Sequence, residues 1–378
     1  MLVAGEGMKI TGIDLIHVRP RWLFLKVYTD EGIVGYGEPT LEGKTPVVEA
    51  SVKGFFRYLE GKDPTRIEHH WQAMYRWSFY RGGPVIMTAI SGIEQALWDI
   101  LGKYLNQPVY QLIGGPVREK VRVYAHIRGR DPEEYVEHAI KRVREGFRSV
   151  KMCPFEATRT VDTPRKVKEA VERVRAVREA LGDDVDLAID CHGRLSPAMA
   201  ILMAKALEPY SPMFLEEPCL PENVDAMVRV ARSTSIPIAT GERLFTRWGF
   251  REVLEKQAAS VIQPDLSHAG GIFECRKIAA MAEVYYVGVA PHCPLGPIAL
   301  SACLQLDACT PNFLIQELVT LGEGYLKEPF KVRDGYIEVP EKPGLGIEID
   351  EEAVKEKAYS GIRERPTLIH DDGSVADW

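Results

Sequence analysis

The chain has 378 residues, 46% of them apolar and 27% charged, with a formal net charge of −7. That length exceeds one small core and suits two domains or a barrel with a second lobe. The acidic balance argues against a nucleic-acid partner, and no uninterrupted apolar run is long enough to cross a bilayer, so no membrane partner is expected.

The N-terminal MLVAGEGMKI lacks the basic start and apolar core of a secretory signal. Seven cysteines, an odd number without a C-x-x-C pair, point to free thiols in a reducing cytoplasm. The stretch KITGIDLIHVRPRWLFLKVYTDEGIVGYGEP alternates like antiparallel strands, with Asp30 to Gly32 as a turn. TPVVEASVKGFFRYLEG and AISGIEQALWDILGKYL then read as helices. Residues 1–120 are therefore expected to form an α+β lobe.

From Val121 the texture changes. Short β-branched segments recur as VRVYAH, SVKMC, VDLAID, MFLEE, PIATGE, ASVIQPD, YVGVAPH and FLIQE. From the second segment onward, their polar ends are Lys151, Asp190, Glu216, Glu242, Asp265, His292 and Glu317. The steps from Asp190 are 26, 26, 23, 27 and 25 residues, about what a strand and its return helix need. Between them lie helical signals. DTPRKVKEAVERVRAVREALG has Asp162 or Thr163 as cap, Pro164 in its first turn and Gly182 past its end. In SPAMAILMAKALEPY, Ser196 is the cap. Eight strands alternating with helices predict a (β/α) barrel over residues 121–320. A doubly wound open sheet is the rival, and no G-x-G-x-x-G follows a first strand to support it.

Catalytic groups of such barrels stand at the C-terminal ends of the strands. Asp190, Glu216 and Glu242 end three successive strands, and adjacent carboxylates repel unless a cation neutralises them. An all-oxygen set suits a hard divalent ion, Mg²⁺ before others. Alternation puts Glu217 on the face opposite Glu216, and pattern alone leaves open which of the two binds.

His292 and Asp265 end neighbouring strands, where a carboxylate can orient an imidazole as a general base. His192 lies two residues past Asp190 in LAIDCHGR, on the same face if the strand continues. A strand turning into a polar loop would explain that pair taken alone. Strands three and seven, however, face each other in a ring of eight, so the two imidazoles would flank one ligand. Such a site could take the α-proton of a chelated carboxylate substrate with His292. His192 could protonate a leaving β-hydroxyl, giving a 2-keto-3-deoxy acid.

These residues, with RWLFLKVYTDEGIVGYGEP, FYRGGPVIMTAISGIEQALWDI, DCHGR, FLEEP, GER, QPDLSHAGGI, APHCPLGPIAL, KPGLGIEID and the terminal DGSVADW, resemble the mandelate racemase subgroup of the enolase superfamily over nearly the whole chain. The nearest likeness is to its members that dehydrate galactonate. The resemblance implies a (β/α)7β TIM-like barrel under an α+β capping domain, with residues 321–378 returning to the cap. It implies one Mg²⁺ per subunit on Asp190, Glu216 and Glu242, selecting Glu216 over Glu217. It makes His292 with Asp265 the base, His192 the acid and Glu317 a partner of the ene-diolate. Substrate contacts would come from Arg21, Trp22, Tyr80, Arg81, Lys151 and Arg194. The implied reaction converts D-galactonate to 2-keto-3-deoxy-D-galactonate in a homo-oligomer, an octamer by likeness. Another aldonate, gluconate or arabinonate, is the alternative substrate, and a non-catalytic sugar-acid-binding barrel is the alternative class. Racemases of the subgroup carry Lys-x-Lys on the second strand and the galactonate-dehydrating members Asn at the last place. This chain has Lys151-Met-Cys153, which disfavours two-base racemisation.

Overall fold

The structure is a computed structural model that describes residues 7–360 and 367–377. The final tryptophan of the DGSVADW motif lies outside the described residues.

The N-terminal lobe begins with an antiparallel meander of β1 (Ile10–Val18), β2 (Trp22–Thr29) and β3 (Val34–Gly37). The turn at Asp30 to Gly32 joins the second pair, which runs Tyr28 against Val34 and Leu25 against Gly37. Helices α1 (Thr45–Leu59), α2 (Ile67–Arg76) and α3 (Pro84–Leu105) cover the sheet. Contact between β3 and α3 needs glycine, because a Cβ on Gly37 would sit 1.9 Å from the Gly92 carbonyl oxygen.

By length and composition α3 could cross a membrane, which the search for uninterrupted apolar runs did not anticipate. Yet 78% of its most apolar stretch is buried within the protein. Its Glu94, Gln95 and Asp99 all bond backbone of other elements.

A short helix, α4 (Val109–Leu112), leads to the barrel. The barrel alternates β4 (Lys120–His126), α5 (Pro132–Arg144), β5 (Ser149–Met152), α6 (Pro164–Leu181), β6 (Asp186–Asp190) and α7 (Pro197–Leu207). It continues through β7 (Leu215–Glu216), α8 (Val224–Ala231), β8 (Ile238–Thr240), α9 (Thr246–Glu255), β9 (Val261–Ile262), α10 (Ile272–Val284), β10 (Gly288–Val289), α11 (Pro297–Cys309) and β11 (Gln316–Leu318). All eight strands are parallel, ordered as in the sequence, with β11 pairing back onto β4. The ring closes where Val289 N donates to Asn312 O at 2.9 Å and Leu314 N to Val289 O at 2.7 Å. After the barrel, β12 (Tyr336–Glu338) pairs antiparallel with β4. α12 (Glu351–Glu356) and the residues after it return to the N-terminal sheet, where Ala358 bridges Val18 and Glu351 pairs with Lys26.

The barrel interior is layered. Tyr124, Ala188, Phe214, Ala239, Val261, Ala290 and Ile315, on seven of the strands or immediately beside them, form an apolar cluster separate from the main core. Side chains two residues on share the same face. Those are His126, Asp190, Glu216, Gln263, His292 and Glu317, with Gly241 in the position that follows Ala239, so polar side chains lie above the apolar plug. The physics of one strand period thus places the chemistry on a dry floor.

Candidate active site

Strand register sets the acids side by side. Asp190 of β6 is the direct partner of Glu216 of β7, and Lys151 of β5 pairs with Ala188 below Asp190. The Lys151 side chain, 1% exposed, is the hub. Its Nζ lies 2.8 Å from Glu216 Oε2, 2.9 Å from Glu317 Oε1 and 3.2 Å from Asp190 Oδ2. Burial alone would discharge this ammonium, but Glu216 and Glu317 hold its pKa well above the usual lysine value. Burial and the neighbouring Asp190 push the Glu216 carboxyl well above the usual carboxylate range.

His292 is held at both nitrogens. Its Nδ1 lies 2.8 Å from Asp265 Oδ2 and its Nε2 3.0 Å from Glu242 Oε2. Asp265 is itself fixed, since its Oδ1 accepts from Ser267 N at 2.7 Å. Burial would lower the imidazole pKa, but Glu242, Glu317 and Asp265 raise it well above the ordinary histidine value. The same pairing holds Glu242, against its own burial, down to about 2.

His192 reaches the site by a route strand alternation does not describe. β6 ends at Asp190, and His192 stands in the left-handed region at φ 50°. Its backbone N donates to Asp190 Oδ1 at 2.9 Å and its Nε2 lies 3.2 Å from Asp190 Oδ2. Burial, ahead of any charge, lowers its pKa. The turn therefore folds the ring back over the carboxylate that ends its own strand.

Glu217 is turned to its own partners. It accepts from Thr240 Oγ1 at 3.0 Å and from Arg243 Nε at 2.6 Å. Glu317 joins the ring, with Lys151 on Oε1 and Cys293 N donating to Oε2 at 2.8 Å.

The expected substrate-facing residues divide. Arg21 reaches the barrel mouth, donating from Nη2 to Pro294 O at 2.7 Å just beyond His292, and pairs with Glu42. Arg194 lies beside the end of β5, with Nη1 3.3 Å from Cys153 Sγ and on Phe155 O. Trp22 instead packs into the core, 4% exposed against Phe24 and Tyr325. Tyr80 is 86% exposed, and the Arg81 guanidinium stands over the Tyr75 ring. No bond recorded among the described residues joins Tyr80 or Arg81 to the acidic cluster.

Sequence reasoning missed His126. It ends β4 and its Nε2 pairs with Glu317 Oε1. The rule that picked Lys151, a polar residue closing a barrel strand, would have found it.

As a donor set, Asp190, Glu216 and Glu242 supply only oxygens, at the ends of adjacent strands, and the raised Glu216 carboxyl marks a place where added positive charge stabilises ionisation. As they stand, Asp190 and Glu216 turn to Lys151 and Glu242 to His292. Among the described residues no three His, Cys, Asp or Glu side chains already form a metal cage.

Residues 17–114 match the mandelate racemase / muconate lactonizing enzyme N-terminal domain, and residues 134–353 the enolase C-terminal domain-like family. A D-galactonate dehydratase of Cronobacter sakazakii is 50% identical over 98% of this chain and all of its own length. One of Ralstonia pickettii is 49% identical over the same shares. An enolase from Agrobacterium radiobacter, solved with sodium and L-malate bound, superposes with a TM-score of 0.92 at 33% identity, covering 98% of this chain and all of that one. A Salmonella Typhimurium member of the enolase superfamily has a TM-score of 0.87 at 35% identity, covering 92% and 98%.

Proposed function

Because the chain belongs to the mandelate racemase / muconate lactonizing enzyme family of the enolase superfamily, we propose that it dehydrates D-galactonate to 2-keto-3-deoxy-D-galactonate with the help of Mg²⁺. It is a carbon–oxygen hydro-lyase, like the dehydratases it matches. The substrate, the metal and the residue roles are our reading. The observation that carries it is that two histidines both lie against one cluster of buried acids. His292 is braced by Asp265, and His192 lies against Asp190.

Asp190, Glu216 and Glu242 would hold the ion. When bound, it supplies Lewis acidity at the substrate carboxylate and lowers the cost of the negative charge that develops there.

The side chains do the rest. Asp265 fixes Nδ1–H of His292, so Nε2 is the atom that takes the proton from C2. The electron pair left at C2 forms the C2–C3 double bond while the C3–O bond breaks. His192 gives its proton to that oxygen, which departs as water. The enol then tautomerises to the 2-keto-3-deoxy acid. Lys151 and Glu317 stand where they can balance charge on the substrate carboxylate, with Arg21 and Arg194 toward the polyol.

The same reading places the enzyme in the cytoplasm, its seven cysteines all free, as a homo-oligomer whose size light scattering would give. Cys153 beside Arg194 favours a different aldonate as the runner-up. A keto-acid assay over a panel of six-carbon aldonates and arabinonate, with and without EDTA, decides. D-galactonate should give the highest kcat/KM, and EDTA should abolish turnover. A clear preference for gluconate, no turnover of galactonate, or full activity in EDTA would overturn the reading.

A further inference from the structure

Helices α10 and α11 both begin on a glycine and carry no side-chain cap of their own at Gly271 and Gly296. The first N–H groups of a helix still need acceptors. Both sets are met from the other lobe. Glu94, midway along α3 and 2% exposed, accepts from Ile272 N at 2.7 Å and Phe273 N at 2.8 Å. Glu38, just past β3 and fully buried, accepts from Gly296 N at 2.6 Å and Ala299 N at 3.0 Å. The glycines make room for this. A Cβ on Gly271 would lie 2.1 Å from Glu94 Oε2, and one on Gly296 2.7 Å from Glu38 Oε1.

The two clamps are linked. Gln95 accepts from Glu38 N at 2.9 Å and reaches Ser267 Oγ at 3.1 Å. Ser91 Oγ accepts from Gly270 N at 3.0 Å, and Thr88 Oγ1 meets His268 Nδ1 at 2.9 Å. The loop held by α3 is the one that follows Asp265. The helix held by Glu38 is the one that follows His292.

We propose that Glu94 and Glu38 are positioning residues for the His292–Asp265 pair. By capping α10 and α11 from outside the barrel, the N-terminal lobe sets the distance and angle between imidazole and carboxylate. The proposal rests on the proton-abstracting role given to His292 above.

Glu94→Gln and Glu38→Gln keep side-chain size but turn an amide N–H toward one of the backbone N–H groups. In each, kcat and α-proton exchange of the aldonate in D₂O should fall about ten- to a hundredfold, the scale of a small misplacement of a reacting group. KM and the Mg²⁺ affinity measured by calorimetry without substrate should stay near wild type. A second readout needs no turnover. The His292 Nδ1–H signal in ¹⁵N-histidine-labelled protein, assigned by its loss in His292→Asn, should move in both variants. It should stay in place in Asn223→Ala, which strips the cap of α8. Unchanged kcat and an unmoved signal in both variants overturn the proposal, as does lower stability with normal kcat in the folded fraction. Should neither variant fold, Trp98→Phe removes the indole N–H that meets Glu94 Oε1 at 2.8 Å, along with part of the ring that packs on Phe273. It should move the signal in the same direction by less, and no movement overturns the proposal. If wild-type protein turns over no aldonate, the substrate reading fails on its own while the His292 signal still decides the positioning.

Discussion

The two halves of the barrel mouth are built on different terms. On the side of Lys151, Asp190 and Glu216, three of the four helices are capped from within, and α6, after Thr163, has no side-chain cap. Asp131 caps α5 by accepting from Glu134 N, Ser196 caps α7 through Met199 N, and Asn223 caps α8 through Ala226 N. On the side of Asp265 and His292, α10 and α11 begin on bare glycines and take their acceptors from the other lobe. Between them α9 takes its acceptor from Glu274 of α10, which bonds Arg247 N at 2.9 Å. Asp190 and Glu216 thus stand beside helices that are mostly capped locally, whereas Glu242, Asp265 and His292 stand beside helices whose acceptors come from other elements. Mutations at Asp190 or Glu216 should therefore report on ion binding, and mutations of the acceptors supplied by the N-terminal lobe on proton abstraction.

The strongest break is expected at the acids. Glu216→Gln should abolish turnover and Mg²⁺ binding by calorimetry, while Glu217→Gln should still bind the ion. Full Mg²⁺ affinity in Glu216→Gln would remove the ion from that half. Next come the histidines. His292→Asn should lose α-proton exchange in D₂O altogether, and His192→Asn should lose elimination yet still exchange slowly. General acid–base groups contribute about 10²–10⁴ in rate, so turnover should fall by at least that in each. A fluoride at C3, which needs less protonation to leave, should partly rescue His192→Asn and not His292→Asn. If His192→Asn dehydrates galactonate at the wild-type rate, His192 belongs only to the turn.

How much of this was readable in the chain follows the same division. Asp190 and Glu216 stand where strand ends at regular spacing put them, Lys151 stands one residue before the end of β5, and Ser196 is next to the helix it caps. His192 was picked for a reason that does not hold. It lies past the strand at positive φ, and it meets Asp190 through a turn instead of through alternation. β9 and β10 form only two-residue ladders, so Asp265 and His292 sit beyond regular strand and meet through an isolated bridge. Trp22, expected to face substrate, is claimed by apolar packing against Phe24 and Tyr325. Glu38 and Glu94 were invisible because their partners lie 258 and 178 residues away. A buried acid in an apolar helix says that a donor exists, not which one.

Two gentler experiments sharpen the contrast. Ser196→Ala should cost about 1 kcal/mol of stability, the usual loss for a helix cap, without moving kcat. A change in kcat would show that the self-capped half also tunes the chemistry. The last effect is pH dependence. Burial, outweighing the backbone N–H groups each accepts from, raises Glu94 to about 8 and Glu38 to about 7. The folded protein thus keeps these protons to higher pH than the unfolded chain, where a carboxyl titrates near 4.5. Their contribution is full below about pH 4.5 and is lost as pH rises toward 7 and 8. Thermal melts should show wild type losing stability relative to Glu94→Gln across that window, with the difference level above it. Wild type gaining on Glu94→Gln as pH rises would mean that folding lowers this carboxyl's pKa instead of raising it.

The apolar plug in the barrel has a consequence for traffic. Tyr124, Phe214, Val261, Ile315 and their neighbours fill the barrel below the polar side chains with apolar groups. If His292 takes the α-proton as proposed, that proton leaves by the barrel mouth and not through the apolar floor. Exchange with solvent label must use that same opening, and the barrel works as a vessel with a single door.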